Sequence, residues 1–188
     1  MSWFRKSSLE PLSVSMCGVK LGDRLLVVGC GDTALVAALA AKAGLTGRAC
    51  MVCGTAAERE SAAAAVEQHG ALVESVDAAP WELPFEPDTF DVAVIRSALP
   101  HLDPPARTRA VEEVRRVIRP GGRCLVIDDA RRGGLSGLLG RQQEDREYEE
   151  AGGGAAILTR AGFKGVRTLA NRESLVFVEG VKASSPHF

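Results

Sequence analysis

Short apolar runs alternate along the chain with amphipathic stretches of about a dozen residues. The runs DRLLVVG (23–29), RACMVCG (48–54), ALVESV (71–76), FDVAVIRS (90–97) and GRCLVIDD (122–129) read as strands. Between them, TALVAALAAKAG (33–44), AAERESAAAAVEQHG (56–70) and PARTRAVEEVRRVI (105–118) read as helices. Strands and helices alternating at this interval predict βαβ units and one parallel sheet. In the third helix Ala110, Val111, Val114, Val117 and Ile118 form one stripe, with Arg109, Glu112, Glu113, Arg115 and Arg116 on the remaining surface. Arg119-Pro120-Gly121-Gly122 is expected to stop that helix and turn the chain into a strand from 122.

The apolar period lapses over 130–154, where ARRGGLSGLLGRQQEDREYEEAGGG is rich in glycine and charge. This stretch is expected to be an irregular or mobile excursion, a candidate lid. The period returns over 157–182 as a short helix, a strand near 165–169, a turn at Asn171–Glu173 and a strand near 174–180. A closing antiparallel pair is expected there.

Length and composition narrow the function classes. The 188 residues suit one domain spanning 1–188, with 1–20 as an N-terminal segment. A formal net charge of −1 gives no electrostatic case for nucleic acid. No apolar run reaches the ~18 to 20 residues of a membrane span, and the N-terminus lacks the apolar core of a signal peptide. Five cysteines set mostly in apolar runs suit reduced, buried thiols, so a cytoplasmic location is expected, without integral membrane contact. Cys50 and Cys53 form a C-x-x-C, but residues three apart on a strand face opposite ways and no second ligand pair follows, so no metal is expected.

The most specific stretch is LPFEPDTFDVAVIRSALPHLDPPARTRAVEEVRRVIRPGGRCLVID (83–128). Its LPF, FD and RxIRPGG elements, with the strand–Gly–x–Gly–helix at 25–40, resemble the class I S-adenosylmethionine-dependent methyltransferases, especially the ubiquinone/menaquinone C-methyltransferase-like group. The likeness covers roughly residues 10 to 180. It implies an α/β Rossmann-like, doubly wound, three-layer fold whose seven strands run 3-2-1-4-5-7-6 with the last antiparallel. It also implies S-adenosylmethionine as cofactor and methyl transfer to a small-molecule acceptor, which GLSGLLG (134–140) and the Trp3 and Phe4 of SWFRK suggest is apolar. Such sheets bind ligands at the carboxyl ends of their strands, beside the switch between strands 1 and 4.

On that resemblance, Gly29, Cys30, Gly31 and Asp32 form the turn against the cofactor, and the following helix offers N–H groups to the methionine carboxylate. Cys53 and Gly54 stand at the ribose position, Asp77 and Ala78 in the adenine-binding roles. Trp81 either covers the adenine face or caps the sheet edge, and Arg96 either faces the methionyl end or pairs with a surface carboxylate. If the reaction needs a base, His101, Asp128 and Asp129 stand at the functional edge. Positions that usually carry acids in the family hold Val27, Cys53 and Ala79, and Thr33 replaces the third glycine. Together these motivate an alternative: a methyltransferase fold kept as an interaction or structural module, with self-association or a partner protein. Gly29-Cys30-Gly31-Asp32-Thr33-Ala34 also fits a dinucleotide pattern, which the 83–128 block opposes.

Overall fold

The two most apolar runs become neighbouring central strands, because only a sheet covered on both faces can bury every side chain of such a run. In the computed structural model, which describes residues 11–129 and 141–184, β1 (Arg24–Val28) pairs in parallel with β2 (Arg48–Cys53) on one side and β4 (Phe90–Arg96) on the other. Beyond them lie β3 (Glu74–Asp77) and β5 (Ile118–Asp129). An antiparallel β7 (Leu175–Val181) and the edge strand β6 (Lys164–Arg172) complete the order 3-2-1-4-5-7-6. This is the expected topology, and β7 is the strand that runs against its neighbours.

Side-chain alternation divides the core into two layers. Leu25, Val27 and Met51 pack with α1 (Leu12–Cys17), α2 (Thr33–Ala43) and α3 (Ala56–Gln68). Leu26, Val28, Cys50 and Val52 face α4 (Pro104–Val117), α5 (Arg141–Glu150) and α6 (Gly153–Arg160). Cys50 and Cys53 therefore lie on opposite faces of the sheet. Three helices begin at capping side chains: Asp32 accepts from the Leu35 N–H at 3.1 Å, Thr55 from Glu58 at 3.2 Å, and Asp103 from Ala106 at 2.8 Å. Among the described residues, no helix is long and apolar enough to cross a membrane.

Three local expectations change. Strand pairing resumes directly after α4, with Ile118 opposite Phe90. A bulge then carries Arg119–Gly122 before Arg123 meets Val92. Gly121 takes φ +77°, and a Cβ on Gly122 would lie 2.8 Å from the Asp91 carbonyl oxygen, so the two glycines shape a bulge within the strand rather than a turn ahead of it. The β6–β7 turn falls at Glu173 and Ser174, both at positive φ, which suits the twist of a two-residue hairpin. Residues 141–150, expected to be irregular, are helical. Tyr148 is buried and hydrogen-bonds Asp128, and that tertiary anchor supplies what a lone helix of this composition lacks. The stretch 130–140, including GLSGLLG, and the SWFRK segment lie outside the described residues.

The start of the 83–128 block is tied to α4 within it. Glu113 on α4 accepts from the Leu83 N–H at 3.0 Å, and Arg116 donates to the carbonyls of Leu83 and Phe85 at 2.9 and 2.7 Å. The hydrogen bond and charge of Arg116, joined by the Leu83 N–H, hold the Glu113 carboxyl below its usual value of 4.5. A carboxyl depressed on folding adds stability above its unfolded value and loses it as pH falls through the folded one. The wild-type urea midpoint is therefore expected to drop below pH ~4.5 more steeply than that of Glu113→Gln. Parallel acid limbs for the two proteins would refute this role of the tie.

Candidate active site

The helices after β1 and β4 leave for opposite faces of the sheet, and the divergence opens a crevice at the strands' carboxyl ends. A cavity of about 790 Å³ occupies it, lined among others by Gly29, Cys30, Gly31, Asp32, Gly54 and Glu58. Its volume lies within the range of small-molecule sites, ~300 to 1,000 Å³. Gly29 turns the chain out of β1 at φ +99° while its N–H donates to the Val52 carbonyl at 3.1 Å. A Cβ there would meet the Arg96 carbonyl oxygen at 2.5 Å, so β1 and β4 can approach only because the residue is glycine. Gly31 has open space, with nothing within 4 Å of an added Cβ, and its backbone faces the cavity directly. Thr33 and Ala34, the first residues of α2, also line it, so the positive end of that helix points inward.

Arg96 ties the floor together. Its Nε reaches Asp32 at 3.4 Å and its two Nη atoms reach Asp129 at 3.2 Å each, while Ser97 Oγ donates to Asp129 at 2.7 Å and also touches the guanidinium. Burial opposes the Arg96 charge, but Asp129 and then Asp32 outweigh it and hold the pKa above the ordinary arginine value. Arg96 thus lines the cavity and pairs with carboxylates, the second of the two roles the sequence left open. Asp32, Glu58 and Asp129 against one guanidinium leave two net negative charges around the cavity.

The other expected residues divide. His101 is exposed on the rim, on a segment clamped from below by Arg107. That buried side chain donates to the carbonyls of Leu99, Pro100 and Leu102 and lies over the Tyr148 ring at 4.8 Å. Asp128 points to the opposite face from Asp129, accepts the Tyr148 hydroxyl at 2.8 Å and does not line the cavity. Cys53 is 1% exposed and packs into the α2–α3 layer, so its thiol lies beneath the cavity wall. Asp77 pairs in register with Cys53 and, like Ala78, lies outside the lining. The Ala78 N–H is already donated to the Cys53 carbonyl at 3.1 Å, so it has no proton left for a ligand. Trp81 also lies outside; its neighbour Pro80 is in the wall.

Sequence reasoning passed over Glu58. A methyl on Gly54 would lie 3.5 Å from Glu58 Oε2, so this carboxylate sits over the end of β2, where Cys53 offers none. The available signal was Thr55-x-x-Glu58, a helix-start pattern that sets an acid in the first turn beside the preceding strand.

Residues 26–126 match the family model described as a methyltransferase domain, more than half of the chain. The chain belongs to the methyltransferase domain family. It is 30% identical over 124 residues to the chloroplastic 2-phytyl-1,4-beta-naphthoquinone methyltransferase of Arabidopsis thaliana, covering 62% of this chain and 46% of that one. It is 32% identical over 146 residues to the methyltransferase GfsG of Streptomyces halstedii, covering 71% and 51%. The chain therefore spans about half the length of the curated relatives it matches. A SAM-dependent methyltransferase structure from Aquifex aeolicus shares the fold at TM-score 0.73 and 22% identity, over 89% of this chain and 86% of that one.

The two turn glycines of this methyltransferase domain differ in what they protect, and alanine separates them. Gly29→Ala meets backbone at 2.5 Å and positive φ, and is expected to lower stability by ~2 kcal/mol or more. Gly31→Ala meets nothing and is expected to stay within ~0.5 kcal/mol of wild type. Urea titrations check both; equal losses would refute the assigned division.

Proposed function

We propose that this chain transfers a methyl group from S-adenosylmethionine to a small-molecule acceptor. The observation that carries the reading is the crevice at the β1–β4 switch, with a glycine turn, a helix N-terminus and two net negative charges facing one cavity. These features suit the donor's chemistry: the helix N-terminus complements its carboxylate, and the net negative wall complements its sulfonium. Glu58 is assigned to the ribose, since a carboxylate accepts from two hydroxyls at once. This assignment speaks against the reading of a degenerate pocket, because the acid absent from the strand is offered by the helix after it.

When bound, the donor supplies an electrophilic methyl whose sulfur leaves as a neutral thioether. The protein's share of the rate is then largely positioning. Asp32 caps α2 and holds Arg96, so the turn and the floor move as one unit. His101 and Asp129, on the rim, are the groups assigned to take a proton where the acceptor must lose one. The acceptor is assigned to this same rim, where β5 ends at Asp129. The naphthoquinone named for the Arabidopsis relative supports an apolar, aromatic acceptor.

Isothermal titration with S-adenosylmethionine and with S-adenosylhomocysteine tests the reading. Saturable heat is expected from both, and none at millimolar ligand would overturn it. Glu58→Gln is expected to weaken S-adenosylhomocysteine binding by about tenfold or more, since a hydrogen bond to a charged group is worth ~1.5 to 3 kcal/mol. An unchanged affinity would remove Glu58 from the ribose role.

A further inference from the structure

Two of the five cysteines meet at the cavity wall. Gly29 swings the chain over the end of β1, which brings Cys30 onto the same face as Cys53 and against the same apolar cluster. The Gly29 N–H bonds the Val52 carbonyl, and Cys30 and Cys53 are the residues that follow those two partners. Cys30 reaches two open spaces, the main cavity and a second one of about 560 Å³ between the start of α2 and α3. Cys53 is closed off behind it. The pair thus joins an accessible thiol to a buried one at the wall beside Gly54 and Glu58.

We propose that Cys30 and Cys53 form a reversible disulfide that gates the cavity, with a peroxide as the oxidant; the gating of donor binding rests on the function proposed above. In the first step the Cys30 sulfur attacks a peroxide oxygen. The S–O bond forms, the O–O bond breaks, and the leaving hydroxide takes the thiol proton as water. In the second, the Cys53 sulfur attacks the Cys30 sulfenic acid, the S–S bond forms, the S–O bond breaks, and a second water leaves with the Cys53 proton. Two thiols lose two electrons and the peroxide gains them. Burial, joined by the neighbouring Cys30 and Glu58, pushes the Cys53 thiol up, so the first attack on peroxide falls to Cys30, and Cys53 enters only through its place beside it. Burial also pushes Cys17 and Cys50 up to about 12, and raises Cys124, so these three are poor competitors.

Closing the bond draws the sulfurs to about 2 Å and pulls the Gly29–Gly31 turn toward the end of β2. The wall that faces the ligand is then fixed in a different position, and binding falls. A small disulfide such as oxidised glutathione would reach the same product by exchange at Cys30.

Full-length protein is exposed to hydrogen peroxide, its remaining thiols are alkylated, and tryptic peptides are mapped. Peptide 25–42 is expected to be joined to peptide 49–59 with the loss of two hydrogens. The link should persist in Cys50→Ala and be absent from both Cys53→Ala and Cys30→Ser. Oxidation is expected to weaken S-adenosylhomocysteine binding at least tenfold, with recovery in dithiothreitol. In Cys53→Ala, whose Cys30 can go no further than its own oxidation, peroxide should give no linked peptide and a smaller change in affinity than in the linked protein. No linked peptide, a link through Cys50, or full binding by the linked protein would each overturn the inference. A reduced protein that binds the ligand but never forms the bond defeats this inference alone. A reduced protein that binds nothing defeats the donor reading, and the gating with it.

Discussion

The approach of the Gly29 backbone to the Arg96 carbonyl is the constraint on which the site depends. Two parallel strands that send their helices to opposite faces must part at their carboxyl ends, yet here β1 and β4 stay paired up to Val28 and Ile95. The chain can bend away only one residue later, at positive φ and with no Cβ to strike Arg96. That single bend directs α2 to one layer, exposes Gly31 and Asp32, and carries Cys30 over Cys53. A larger residue would separate the strands and dissolve the crevice between them.

Electrostatics then hold the opened edge in place. Arg96 spans from Asp32, at the start of α2, to Asp129, at the end of β5, so one side chain couples three neighbouring elements. The guanidinium is 15% exposed, but Asp32 and Asp129 are 37% and 66% exposed, so salt screens the outer side of these pairs. The opposite side of the rim is fixed by Arg107, whose guanidinium is spent on three carbonyls and the Tyr148 ring. Tyr148 in turn fastens α5 to Asp128. The rim holding His101 is therefore braced from α4 and α5, although among the described residues neither helix supplies a side chain to the cavity itself.

Much of the fold was legible because period and punctuation agree. The alternation of apolar runs with amphipathic helices led to the parallel sheet, and the resemblance carried by the 83–128 block led to its strand order. The bulge at Arg119–Gly122 was less legible, since Pro-Gly-Gly serves a turn and a bulge equally well until a partner strand chooses. Helix α5 was hidden because its one buried large side chain, Tyr148, gives no period by itself.

The site divides along the same line. Gly29, Gly31, Asp32 and Arg96 line the cavity, because they lie at or just beyond the ends of β1 and β4, where the sheet dictates the direction of the chain. Cys53, Asp77, Ala78, Trp81 and Asp128 do not face the cavity, because alternation, a hydrogen bond already made, or a tertiary partner turns them elsewhere. Glu58 does, because a first-turn residue of a helix projects back over the strand before it. The sequence alone determined the elements and their alternation, which follow from periodicity, while the strand order and the edge that opens were legible through the resemblance its motifs carry. Which side chains meet there was decided only by tertiary structure, because contact depends on distances between segments that no local pattern records.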